Sequence, residues 1–64
     1  MADYADPVRE ALRQAGCRLD RYGKGDHEIW YSPKSGERFP VDGNIRSRHT
    51  ANEVLKQAGL PKAF

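Results

Sequence analysis

The chain has 64 residues, enough for one compact domain but too few for a deep cavity around a large cofactor, because a domain of this size buries only ~60% of its unfolded surface. With 38% hydrophobic and 31% charged residues the composition excludes disorder, while a net charge of +2 suits a polyanionic partner without demanding one. A single cysteine, Cys17, cannot form an internal disulfide or, with two histidines, complete a four-ligand zinc site; with no membrane-length apolar run and no signal-like N-terminus, we expect a cytoplasmic protein without membrane contact.

Asp6 followed by Pro7 reads as an N-cap with proline at the first helical position. Val8, Ala11, Leu12 and Ala15 then form one apolar stripe, and Gly16 supplies a helix end, so the first helix is expected to run to about Ala15. Three segments of β character follow: Cys17 to Tyr22, His27 to Ser32 and Glu37 to Val41. Gly23-Lys24-Gly25-Asp26 and Pro33-Lys34-Ser35-Gly36 join them through tight turns, which implies an antiparallel meander. Pro40 lacks a backbone N–H and places the third strand at a sheet edge or at a bulge. Alternation in the second strand sets His27, Ile29 and Tyr31 against Glu28, Trp30 and Ser32, and the sequence does not say which set faces the core.

Asp42 to His49 has no periodicity and reads as a loop. Thr50-Ala51-Asn52-Glu53 reads as a capping box opening a second helix, with a stripe of Ala51, Val54, Leu55 and Ala58. Its end, Leu55-Lys56-Gln57-Ala58-Gly59, echoes Leu12-Arg13-Gln14-Ala15-Gly16, two similar solutions to ending an amphipathic helix. The expected fold class is α+β: a two-layer α-β-β-β-α domain covering residues 1–64, with both helices on one face of a three-stranded antiparallel sheet. Its expected core is Val8, Leu12, Cys17, Leu19, Phe39, Val41, Val54, Leu55 and Leu60.

Several of these features together carry a family resemblance: a first helix ending in Ala15-Gly16, a hairpin with Gly25-Asp26-His27 followed by aromatics, a proline-containing third strand, and a close from Ile45 to Leu60. Over roughly residues 7 to 60 the chain resembles the HicA toxins, small ribonucleases with a fold like the double-stranded-RNA-binding domain, held inactive by a HicB-type antitoxin. The resemblance implies that His27 is catalytic, that the substrate is single-stranded RNA or mRNA, and that a HicB-like antitoxin is the protein partner. Two departures stand out. Asp26 occupies the position where the family usually has Ser or Thr, and Asp42-Gly43-Asn44 replaces a commonly more basic or His-bearing run, which removes support for additional catalytic groups there.

The chemistry fits a minimal site. RNA supplies its own nucleophile, the 2′-hydroxyl, so cleavage needs proton transfer and charge stabilisation without a metal or small-molecule cofactor. An imidazole titrates near the operating pH and contributes ~100- to 10,000-fold as acid or base. The glycines around Lys24 would let a phosphate approach backbone N–H groups, with Lys24 as an electrostatic stabiliser. Arg21, Arg38, Arg46 and Arg48 would extend an RNA-binding surface, and Trp30 or Tyr31 would stack on an unpaired base. His49 reads as part of a solvated loop and Cys17 as a small core residue. Two other functions fit the same pattern: a non-catalytic RNA-binding module and an inactive toxin-like interaction domain. Duplex binders usually carry a lysine cluster at the start of the second helix, where this chain reads Thr50-Ala51-Asn52-Glu53, which favours the ribonuclease.

Overall fold

A computed structural model describes residues 3–25 and 27–64. The element order is α1 (Ala5–Gln14), β1 (Arg18–Tyr22), β2 (Glu28–Ser32), β3 (Glu37–Val41) and α2 (Arg48–Gln57). The strands form one antiparallel sheet in the order β1-β2-β3, so β3 is an edge strand and accommodates Pro40 opposite Ile29. The α+β, α-β-β-β-α expectation is met. The bulge lies in β1 instead, where the register steps from Leu19↔Trp30 to Arg21↔Ile29 and leaves Asp20 as the extra residue.

Both helix starts differ from expectation. The Asp3 carboxylate accepts hydrogen bonds from the N–H groups of Ala5 and Ile45, at 2.9 and 3.2 Å, so α1 begins at Ala5 with Tyr4 as N-cap rather than Asp6. Pro7 still falls in the first turn, where a missing N–H costs nothing. In α2 the cap is Ser47, whose Oγ accepts from the Thr50 N–H, so the loop is shorter and Arg48, His49 and Thr50 form the first turn. The expected capping box is therefore displaced by a serine three residues earlier.

The helix ends explain the sequence echo. Cys17 N–H donates to Leu12 O and Gly16 N–H to Arg13 O; Leu60 N–H donates to Leu55 O and Gly59 N–H to Lys56 O. Both are Schellman motifs closed by a glycine with positive φ, +88° at Gly16 and +80° at Gly59. Cys17 is thereby drawn into the end of α1, and β1 starts at Arg18.

Parity in β2 is settled by Trp30, which is buried, with Ser32, against the helices. The indole is the largest apolar body in the strand, and its N–H finds a carboxylate at Glu28 2.9 Å away, so burial leaves no donor unpaired. Trp30, Phe39 and Val41 meet Val8 and Leu12 of α1 and Ala51, Val54 and Leu55 of α2 in one core. Ile45, from the loop before α2, completes it. Leu19 departs from its expected place: all of β1 is exposed, because the helical core is built over β2 and β3, and Leu19 instead lines an open groove of about 460 Å³ beside α1 with Tyr22 and Trp30. Leu60 packs only partly buried against the core. No helix among the described residues is long and apolar enough to cross a membrane.

Candidate active site on the open sheet face

The register of the β2–β3 hairpin builds the site. Glu28 pairs with Val41, so continuing the ladder by one residue sets His27 opposite Asp42. Their side chains meet there: His27 Nε2 lies 2.7 Å from Asp42 Oδ1, with both side chains about half exposed. A carboxylate only accepts, so Nε2 carries the hydrogen of this bond and Nδ1 is the ring's other nitrogen, with no hydrogen bond among the described residues. A Cβ placed on Gly23 would meet Ile29 Cδ1 at 3.4 Å and His27 Cβ at 3.6 Å, which puts the His27 and Ile29 side chains on the same face, away from the helices.

The turn before His27 is closed by its own backbone. Gly23 N–H donates to His27 O and His27 N–H to Lys24 O, while Gly25 takes φ +64°. These two N–H groups are therefore committed within the turn, and a backbone cradle for a phosphate would draw on the N–H groups of Lys24 and Gly25. Lys24 sits exposed in this turn. Asp26 lies outside the described residues.

Beneath the pair runs a partly buried polar network. Glu28 Oε1 accepts from Trp30 Nε1 at 2.9 Å and from Arg9 Nε at 3.0 Å. Arg9 also reaches the Asp42 carbonyl at 3.4 Å and the Asp6 carboxylate at 3.4 Å. The indole N–H, followed by the Arg9 guanidinium, holds the Glu28 carboxyl below the usual glutamate range against the opposing effect of burial. Arg9 thus ties α1 to both chain segments that carry the pair.

Away from the pair the same face is basic and aromatic. Arg18, Tyr31 and Arg38 are direct register partners across the three strands. The Arg18 and Arg38 guanidinium carbons lie 5.4 and 5.1 Å from the Tyr31 ring centroid, one reaching it from each flanking strand. Asp20 accepts from Arg38 Nε at 3.2 Å and lies 3.8 Å from Arg21. Arg21 and Arg38 therefore share this face with His27.

Arg46 and Arg48 follow the buried Ile45, Arg46 near Asp3 and Arg48 at the start of α2, and neither makes a hydrogen bond or ion pair to His27 or Asp42 among the described residues. His49, expected in a loop, is helical and lines a separate groove with Asn52, Glu53 and Lys56. Trp30, expected as one of two stacking candidates, is 3% exposed and in the core, which leaves Tyr31. Sequence reasoning missed Asp42 and Arg18. The ladder register would have found both, since His27 and Asp42 follow from a hairpin with Glu28 opposite Val41, and Arg18 from the strand partner of Tyr31.

No group of three His, Cys, Asp or Glu side chains is placed to hold a metal ion among the described residues. The family model described as HicA toxin of bacterial toxin–antitoxin matches residues 6–60. No curated protein and no solved structure matches the chain.

Proposed function

The chain belongs to the HicA toxin family of bacterial toxin–antitoxin systems, and on that premise we propose that it is an endoribonuclease that cleaves single-stranded RNA, mRNA included, through His27. The observation that supports this reading is the His27–Asp42 contact of 2.7 Å on an open, arginine-bearing sheet face. Neither fold nor family membership assigns a reaction to particular atoms; the contact of His27 with Asp42 supports placing it at this imidazole.

Asp42 orients the imidazole through Nε2 and leaves Nδ1 for the substrate. Nδ1 takes the proton of the RNA 2′-hydroxyl while that oxygen bonds to phosphorus. The P–O5′ bond breaks, and the departing 5′-oxygen takes a proton from water. The products are a 2′,3′-cyclic phosphate and a 5′-hydroxyl, and the imidazolium returns its proton to solvent. Lys24, in the turn three residues before His27, supplies positive charge toward the phosphate, and Arg21 adds to it. Toxin–antitoxin membership implies an antitoxin partner; in this reading it is HicB-like and acts by covering the exposed pair.

The test is incubation of the purified chain with a single-stranded RNA and with the same sequence in 2′-deoxy form. Cleavage of the RNA alone, with cyclic-phosphate ends, and its loss in His27→Ala are expected. Equal cleavage by His27→Ala, or cleavage of the deoxy strand, would refute the mechanism.

A further inference from the structure

We propose that the Arg18–Tyr31–Arg38 ladder is a nucleotide-binding subsite that holds a single-stranded RNA on the open sheet face, more than one nucleotide away from the bond at His27; this rests on the ribonuclease reading above. Three observations carry it. The first is charge. Arg18, Arg21 and Arg38 project from one face; Arg21 and Arg38 share the single carboxylate of Asp20, and Arg18 makes no ion pair among the described residues. The face calls for an anion.

The second is order. A surface arginine ordinarily loses rotamer freedom when it binds, which weakens the contact it makes. Here the Tyr31 ring holds both guanidinium groups, and Asp20 fixes Arg38 from its other side through Nε, leaving the remaining Arg38 N–H groups to point elsewhere. An aromatic ring with two guanidinium groups close to it is a surface for a base and its phosphates together, since bases stack on either kind of group.

The third is position. Tyr31 and His27 lie four residues apart on one side of the same strand, a separation of about 13 Å along it. A strand that places a phosphate at His27 and continues along β2 therefore reaches the ladder after more than one nucleotide. A duplex, with its bases stacked inward, cannot present them to this platform.

The experiment measures binding apart from cleavage. A fluorescein-labelled single-stranded RNA is titrated by anisotropy against His27→Ala, and against the same background carrying Arg18→Gln with Arg38→Gln, Tyr31→Leu, or Lys56→Gln on the far helix. The double arginine variant is expected to lose roughly tenfold or more in affinity, and the slope of log affinity against log salt to shrink by about 1.4, the contribution of two phosphate contacts on a single strand. Tyr31→Leu is expected to weaken binding about tenfold, and Lys56→Gln to bind like its parent. Unchanged affinity in both ladder variants, or a blunt duplex bound as tightly as the single strand, would overturn the proposal. If the ladder variants lose RNA while the wild type cleaves nothing, the subsite stands and the ribonuclease reading falls. If cleavage depends on His27 but the ladder variants bind normally, the ribonuclease stands and the subsite falls, leaving the face to a protein partner.

Discussion

Replacing Asp42 separates positioning from binding. In the wild type its carboxylate accepts a 2.7 Å hydrogen bond from His27 Nε2. A hydrogen bond with one charged partner contributes about 1.5–3 kcal/mol. With both side chains half exposed, solvent screening brings this toward the lower end, roughly 1–2 kcal/mol. At 1.36 kcal/mol per factor of ten, Asp42→Ala is expected to slow cleavage roughly 5- to 30-fold. Asp42→Asn keeps an acceptor but not the charge and should fall between the two, and Asp42→Glu should recover part of the loss. The carboxylate also repels the substrate phosphate, so RNA affinity in Asp42→Ala should stay level or rise while turnover drops. Single-turnover cleavage at saturating enzyme, with a separate binding titration, reads both quantities. A loss of affinity equal to the loss of rate, or full activity in Asp42→Ala, would refute the positioning role.

Glu28 gives a pH prediction. Its carboxyl is held low in the folded chain by the Trp30 N–H and Arg9, so its contribution is present above the ordinary glutamate value of 4.5 and is lost as pH falls through the lower folded value. Asp3, held low by the Ala5 and Ile45 N–H groups, acts with the same sign. Urea midpoints should fall on acidification below about pH 4.5, and less steeply in Glu28→Gln; identical acid profiles would contradict the network. Ser32 Oγ, fully buried, donates to the Ala58 carbonyl at 2.7 Å and closes the end of α2 against β2. Ser32→Ala is expected to destabilise by about 1–3 kcal/mol by leaving that carbonyl unpaired, a drop of several degrees or more in Tm. Leu12→Ala, at a fully buried position, should cost about 2–5 kcal/mol, whereas Leu19→Ala on the uncovered strand should cost under about 1 kcal/mol; similar costs in thermal denaturation would mean that β1 is packed after all.

The element order was legible because each segment is bounded by a local signal: two glycine-closed helix ends, two tight turns and one proline at a sheet edge. What the sequence hid is tertiary. Thr50-Ala51-Asn52-Glu53 is a sound capping pattern, but Ser47 reaches the orphan N–H groups first, and nothing local ranks the two caps. Leu19 looks like a core residue by alternation, yet its burial depends on whether a helix lies over β1. Trp30 and Ile29 compete for the same interior, and the indole takes it with its N–H paired to the Glu28 carboxylate. In the site, His27 was found through a family pattern. Its partner Asp42, fifteen residues away, became visible only once the hairpin register was fixed, because aspartate before Gly43-Asn44 reads locally as turn chemistry.

The alternation in β2 has a consequence for how this protein tolerates change. Glu28, Trp30 and Ser32 hold the chain together, while Ile29 and Tyr31 belong to the exposed side with His27. Point substitutions on the exposed set can accumulate without disturbing the buried one, so recognition is free to drift on a constant scaffold. A one-residue insertion or deletion between His27 and Ser32 has the opposite effect: it exchanges the two sets and drives Tyr31 inward and Trp30 into water. The exposed side of the strand is permissive to replacement, and the strand as a whole is intolerant of any change in length.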